Sequence, residues 1–275
     1  MNLDVRQKMY EDIEAQRHLI PLLPIIVRLD GRCFHNWTRG LKRPFDREFH
    51  FLMVETTKGL MDESGALLGY TQSDEISLVI YSGDVDSQVF FDGRVQKLTS
   101  VMASICTARF NHLVVQYPPS GDVHVGFKKG DLATFDCRVW NVPTKEEAVN
   151  AVLWREQDAS KNSISMAART MFSHNEIHGK TGAEMQEMMF QQHGVNWNDY
   201  PDAFKRGTYI QRKTVVRQFS IEELDKLPPK HQARTNPNLK VERHDVVVRD
   251  FTPQISKITN RVEFMFEGAE PIATP

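Results

Sequence analysis

The chain has 275 residues, 40% of them hydrophobic and 25% charged, enough to bury a substantial core as one large domain or two closely joined ones. A net charge of -2 and a pI near 6.6 exclude a surface that is basic throughout, so any contact with nucleic acid must come from a local patch. The widely spaced Cys33, Cys106 and Cys137 fit neither a disulfide framework nor zinc-ligand spacing, and no stretch has the apolar length of a signal-peptide core or a membrane span; a reducing, cytoplasmic setting is expected.

In chain order, PLLPIIVRLDG predicts a buried strand over Ile25 to Leu29, ended by an acid and a glycine. Asp46 can cap a helix whose apolar face is Phe49, Leu52, Met53, Leu60 and Met61. LLGYTQ and ISLVIY are β-rich runs separated by Ser73, Asp74 and Glu75, the pattern of a hairpin with acids at its turn. From Arg94 to about Tyr117, Leu98, Val101, Met102, Ile105 and Leu113 recur at helical spacing, and ATFDCRVWNV predicts a fourth strand. The order β-α-β-β-α-β over residues 21–143 is a recurrent split pattern of α+β folds, in which two helices cover one face of an antiparallel sheet.

Thr144 with Glu147, and Thr181 with Glu184, have capping-box spacing and open two further helices, the second ended by Gly194. Strand-like sequence returns at GTYIQRKTVVRQF and KVERHDVVVRDF, around the proline-containing break KLPPKHQARTNPN. The chain is therefore expected to divide into a first domain over 1–143 and a mixed helical and β region over 144–275.

The topology brings Asp30, at the end of the first strand, toward Asp74 and Glu75 at the hairpin turn. Magnesium takes oxygen ligands and often needs only one or two carboxylates beside substrate phosphates, and two such ions can stabilise an in-line phosphoryl displacement. Arg32 and Arg43 flank the first loop, and Arg94 and Lys97 sit one turn apart where a helix begins, a place that disfavours cations unless an anion is nearby. Acids at strand ends also serve simply to cap turns, and a basic helix start can be a solvated one.

RLDGRCFHNW, GYTQSDEISLVIY and FDGRVQK, followed by FDCRVW, WREQD and KRGT, resemble the tRNA-His guanylyltransferase family over roughly residues 5–213. The resemblance implies a polymerase-like palm that adds nucleotides to the 5′ end of tRNA in the 3′-to-5′ direction. It implies two magnesium ions on Asp30, the Gly31 carbonyl and Asp74, with Glu75 as a further catalytic acid, and ATP, GTP or other nucleoside triphosphates as substrates. Arg32, Cys33, Phe34, His35 and Ser73 would line the nucleotide site, Phe34 or His35 stacking on a base. Arg43, Arg94 and Lys97 would hold the triphosphate. The second region would carry tRNA and subunit contacts, and the assembly would be a homo-tetramer. Ser160 stands where the eukaryotic tRNA-His enzymes have histidine, so the chain is more similar to the guanylyltransferase-like branch, whose members repair truncated tRNA 5′ ends against a template.

KRGTYIQRKTVVR holds five basic residues and no acid, which makes Lys205, Arg206, Arg212 and Lys213 the expected RNA contacts; a strand with a solvated basic face has the same composition. His174 and His178 stand four apart around Glu176, without the metalloprotease spacing. Three other readings are a tRNA-His guanylyltransferase proper, a palm-type nucleotide cyclase and a non-catalytic tRNA-binding module; the last has no use for adjacent acids beside a polyanion.

Overall fold

A computed structural model of the chain describes all residues except 85, 88, 120–131, 237, 250–252 and 275. The chain opens with a helix outside the expectations above, α1 (Leu3–Ala15), capped by Asn2 and burying none of its residues. β1 (Ile25–Gly31) runs two residues past the predicted strand, through Asp30, into the one-turn helix α2 (Phe34–Trp37). α3 (Arg47–Ser64) starts where the Asp46 carboxylate accepts the Phe49 N–H at 2.8 Å and stops at Gly65, whose φ of 69° suits glycine. β2 (Leu68–Gln72) and β3 (Glu75–Ile80) form the expected hairpin, α4 (Val95–Gln116) the second helix and β4 (Phe135–Asn141) the fourth strand.

The second half begins with α5 (Lys145–Ala168), where Thr144 Oγ1 accepts the Glu147 N–H at 3.2 Å. The short α6 (His174–Ile177) precedes α7 (Gly182–His193), in which Thr181 and Glu184 complete a reciprocal capping box before Gly194 ends the helix. Then come α8 (Asp202–Arg206), β5 (Thr208–Gln218), α9 (Ile221–Lys226), α10 (Gln232–Thr235), β6 (Lys240–Arg249) and α11 (Arg261–Glu267).

All six strands form one antiparallel sheet in the order β4-β1-β3-β2-β5-β6, so the strands of the second half continue the sheet of the first. Strand periodicity sends Ile25, Val27 and Leu29 to one face, where they pack with Leu52, Met53, Leu60 and Met61 of α3 and Met102, Cys106 and Phe110 of α4. Ile26 points the other way, into a second core with Val149 and Val152 of α5 and Phe264 and Met265 of α11. A third cluster lies beyond the sheet, where Ala167 and Ala168 of α5 pack with Met185, Met189, Trp197 and Phe204.

Strand directions decide what meets what. β1 and β2 both run antiparallel to β3, so Asp30 and the Ser73–Asp74 turn share one end of the sheet. β4 begins at that end, with Phe135 opposite Gly31. α4 climbs toward it: the Phe135 N–H donates to Thr107 Oγ1 at 3.2 Å, and Asn111 bonds both backbone groups of Ala133. The start of α4 is therefore at the opposite end, where Leu19 donates to the Gly93 carbonyl and His18 bridges Arg94.

Candidate active site

Across the strands, Asp30 is paired with Glu75 on one side and Asp136 on the other, so three carboxylates stand in a row at one sheet end. The Gly31 N–H donates to the Asp74 carbonyl at 3.1 Å, which fastens the hairpin turn to the end of β1 and adds a fourth acid. Ser73 holds a left-handed φ of 52° and donates its hydroxyl to Asp74 Oδ1 at 3.0 Å. A side chain on Gly31 would meet the Phe34 ring at 2.3 Å, so the ring's inward position requires glycine there.

Burial pushes the Asp74 carboxyl above the usual carboxylate range, and the charges of Asp30 and Glu75 push it further, against bonds from its own backbone and from Ser73. Glu75 is gripped by Arg155 of α5 through Nε at 2.5 Å and Nη2 at 2.7 Å, and Arg155 also reaches Asp158 at 3.1 Å. Burial weakens the Arg155 charge, but these acids more than offset it and hold its pKa above the ordinary guanidinium value. Among the described residues no lysine, arginine or histidine pairs with Asp30 or Asp74. Two converging carboxylates without a counter-charge fit a hard cation, with the Gly31 carbonyl as a third oxygen. Among the described residues no group of three His, Cys, Asp or Glu side chains could hold an ion by itself.

Beside the turn, Gln72 and Ser73 join Arg43, Phe45, Phe49 and Phe204 in lining a pocket between the sheet end and the third cluster. Arg43 is exposed and donates to the Thr38 carbonyl at 3.2 Å. Arg32, Cys33 and His35 are exposed on the loop after β1, with Cys33 at a left-handed φ of 57°. Phe34 is a correction to the expected base-stacking pair. It is 3% exposed among Trp37, Phe49, Phe110 and Phe135, which leaves His35 as the free ring.

Two sets of cations are placed differently from expectation. Arg94 and Lys97 begin α4, about 20 Å of helix before the Thr107 contact with the acid end. Within one chain they do not share the acids' cleft, because a helix between two strands of this motif must start at the sheet's other end. Both are held by Phe91: its carbonyl accepts from Arg94 Nε at 3.5 Å and its ring lies 5.7 Å from Lys97 Nζ. The expected RNA-contacting run is likewise occupied internally. Lys205 is 7% exposed and donates to the Asn198 carbonyl at 2.6 Å, Arg206 pairs with Asp202, Arg212 donates to the Met61 and Ala66 carbonyls, and Lys213 meets Glu270 at 2.7 Å.

Asp136 and Arg155 lie within segments the sequence singles out, FDCRVW and WREQD, yet their roles depend on β4 register and on α5 crossing the second face. His174 and His178 stack at 5.4 Å, and Glu176 between them is used in a capping box with Ser173. The three cysteines are free, and no described helix is long and apolar enough to cross a membrane.

Residues 6–143 match the family model for tRNAHis guanylyltransferase. The chain is 26% identical over 232 residues to the tRNA(His) guanylyltransferase of Candida glabrata, an alignment covering 79% of this chain and 94% of that protein. A solved bacterial tRNA(His) guanylyltransferase-like protein in complex with ATP superposes with a TM-score of 0.75 at 33% identity, covering 97% of this chain and 98% of that one. A bacterial protein of the same description in complex with GTP gives a TM-score of 0.69 at 34% identity, covering 93% and 94%. With a palm-type sheet, its acids gathered at one end, and these matches along nearly its whole length, the chain belongs to the tRNA-His guanylyltransferase family of nucleotidyltransferases.

Proposed function

We propose that this chain is a magnesium-dependent polymerase that adds nucleotides to the 5′ end of tRNA in the 3′-to-5′ direction, repairing truncated ends against the opposite strand. The observation that carries the reading is the row Asp136–Asp30–Glu75 with Asp74 fastened beside it, in which Asp30 and Asp74 have no cationic partner among the described residues. Asp30, Asp74 and the Gly31 carbonyl would hold the metal. When bound, magnesium supplies charge neutralisation at the reacting phosphate and its leaving group.

The remaining work falls to the protein's own groups. The pocket beside Ser73 would seat a nucleotide base, and the exposed Arg43 would meet its phosphates. The related bacterial proteins solved with ATP and with GTP support a nucleoside triphosphate as substrate. Arg155 positions Glu75 and keeps its carboxylate turned along the sheet. Catalysis of this kind is positioning and electrostatic stabilisation, with little proton chemistry required of side chains.

Template dependence is supported at Ser160, whose hydroxyl donates to the Glu156 carbonyl at 3.0 Å, one turn back on its own helix. A hydroxyl used in this way has no histidine-like reach to name a base, which leaves the choice to Watson-Crick pairing. The test is incubation with labelled nucleoside triphosphates, magnesium and a tRNA lacking its first nucleotide. Changing the opposing base from C to A should switch addition from G to U, with each mismatch disfavoured by about 1–3 kcal/mol if pairing costs resemble lost base contacts. Addition of G to tRNA-His whatever the template would make the chain a tRNA-His guanylyltransferase proper. A cyclic product formed without RNA would make it a cyclase.

A further inference from the structure

The row of acids has two sides. On the Ser73 side lies the pocket assigned above to the nucleotide. Two residues further down the strands, on the face crossed by α5, the register aligns Arg138, Arg28 and Ser77. Among the described residues the Arg28 side chain makes no direct hydrogen bond or ion pair and its Nε is buried without a partner, although its charge acts on the Glu75 carboxyl and draws it down. Ser77, 4% exposed, has a buried hydroxyl in the same condition. Burial of a donor without an acceptor is costly, so a ligand that brings an acceptor oxygen would satisfy Arg28 Nε.

Trp154 supplies the wall. Its side chain is 52% exposed, and the guanidinium groups of Arg28 and Arg155 lie 5.4 and 4.6 Å from its ring. Arg155 is itself fixed by Glu75 and Asp158, so the stack is tied to the acid row before any ligand arrives. Arg138 is half-exposed and only loosely held by Asp136, at 3.4 Å.

An in-line displacement brings its two reactants to the metals from opposite sides, so a nucleotide on the Ser73 side leaves the Arg28 side for the other one. We propose that this face holds the 5′-terminal phosphate of the acceptor RNA, with Arg28 as its anchor and Trp154 as a surface for the terminal base. Guanidinium matches phosphate geometry with two parallel donors, and one unpaired arginine suits a terminal phosphate better than a triphosphate. The inference rests on the nucleotidyltransferase reading above and names where its second substrate sits.

The test is equilibrium binding, without nucleotide or magnesium and at one fixed salt concentration, of a truncated tRNA carrying either a 5′-phosphate or a 5′-hydroxyl. The wild-type protein should prefer the phosphorylated end by about tenfold. Arg28→Gln should reduce the preference to less than about twofold while ATP affinity, measured by calorimetry, stays within about twofold. Arg28→Lys should keep an intermediate preference, and Trp154→Ala should weaken both RNAs alike. If Arg28→Gln does not fold, Arg28→Lys combined with Arg138→Ala makes the same comparison.

No end preference in the wild type overturns the proposal. So does a full preference in Arg28→Gln, or a loss of ATP affinity in its place, which would put Arg28 in the triphosphate site. The readout involves no chemistry, so such a failure leaves the metal assignment untouched. Normal nucleotide addition by Asp30→Ala would sink the nucleotidyltransferase reading whatever the Arg28 face binds.

Discussion

The acid end of the sheet and the basic stretch from Lys205 to Lys213 look equally functional as strings of charge, yet they are built in opposite ways. Asp30 and Asp74 converge with no cation among the described residues to neutralise them, and burial together with their neighbours raises the Asp74 carboxyl. Lys205, Arg206, Arg212 and Lys213 each meet a carbonyl or carboxylate of the same chain. Charge left unbalanced by the fold is available to a ligand. Charge met by backbone carbonyls fastens α3, α8 and β5 to their neighbours.

The sharpest way to break that contrast is to remove the unbalanced acids. Asp30→Ala or Asp74→Ala should slow nucleotide addition by at least ~100-fold if a metal held there supplies several kcal/mol of transition-state stabilisation. Folding should survive, because each change relieves repulsion. Near-normal addition, with an unaltered circular dichroism spectrum, would equate the two regions and end the two-metal assignment.

His50 joins the two regions, lining the pocket beside Ser73 and bonding Thr208 Oγ1 at 3.1 Å where β5 begins. Burial lowers its pKa from 6.5 to about 4. Between those values the unfolded chain binds a proton that the folded chain refuses, so stability should fall as pH drops from 6.5 toward 4, by up to ~3 kcal/mol. His50→Gln should flatten that part of a plot of melting temperature against pH. An identical slope in the variant would show that the loss arises elsewhere.

The balanced charges should behave as structure. Lys205→Met and Arg212→Ala should each cost about 2 kcal/mol in denaturant unfolding, by stranding carbonyls that accept charged donors, with tRNA affinity unchanged. Lys213→Ala, which breaks an ion pair with the exposed Glu270, should cost less than ~1 kcal/mol. A fall in RNA affinity that exceeds the stability loss would return these residues to the RNA surface.

Asp30, Asp74 and Glu75 were legible in the sequence because each falls where a strand ends, and a β-α-β-β-α-β order has few ways to arrange those ends. Asp136 was not, since its place opposite Asp30 depends on a register set by a strand more than a hundred residues away. Arg94 and Lys97 stand correctly at a helix start, but composition does not say which end of the sheet that start occupies. Phe34 follows a loop whose single helical turn carries it inward, a geometry no period of apolar residues announces over four positions. The internal partners of the basic run are hidden for a related reason. A sequence displays donors plainly, while the acceptors here are mostly main-chain oxygens, and the carboxylate of Glu270 lies 57 residues from Lys213.

The strand order β4-β1-β3-β2-β5-β6 carries one more consequence. β2 leads directly into the Ser73–Asp74 turn, and its outer edge is covered by β5, with Leu68 opposite Gln211 and Tyr70 opposite Tyr209. A fragment ending at residue 143 would keep all four predicted strands yet present that edge as a row of open hydrogen-bonding groups beside buried apolar side chains. Such an edge is a template for pairing with other chains. The strand that leads to the acidic turn thus has its open edge closed by one that the chain supplies more than a hundred residues later.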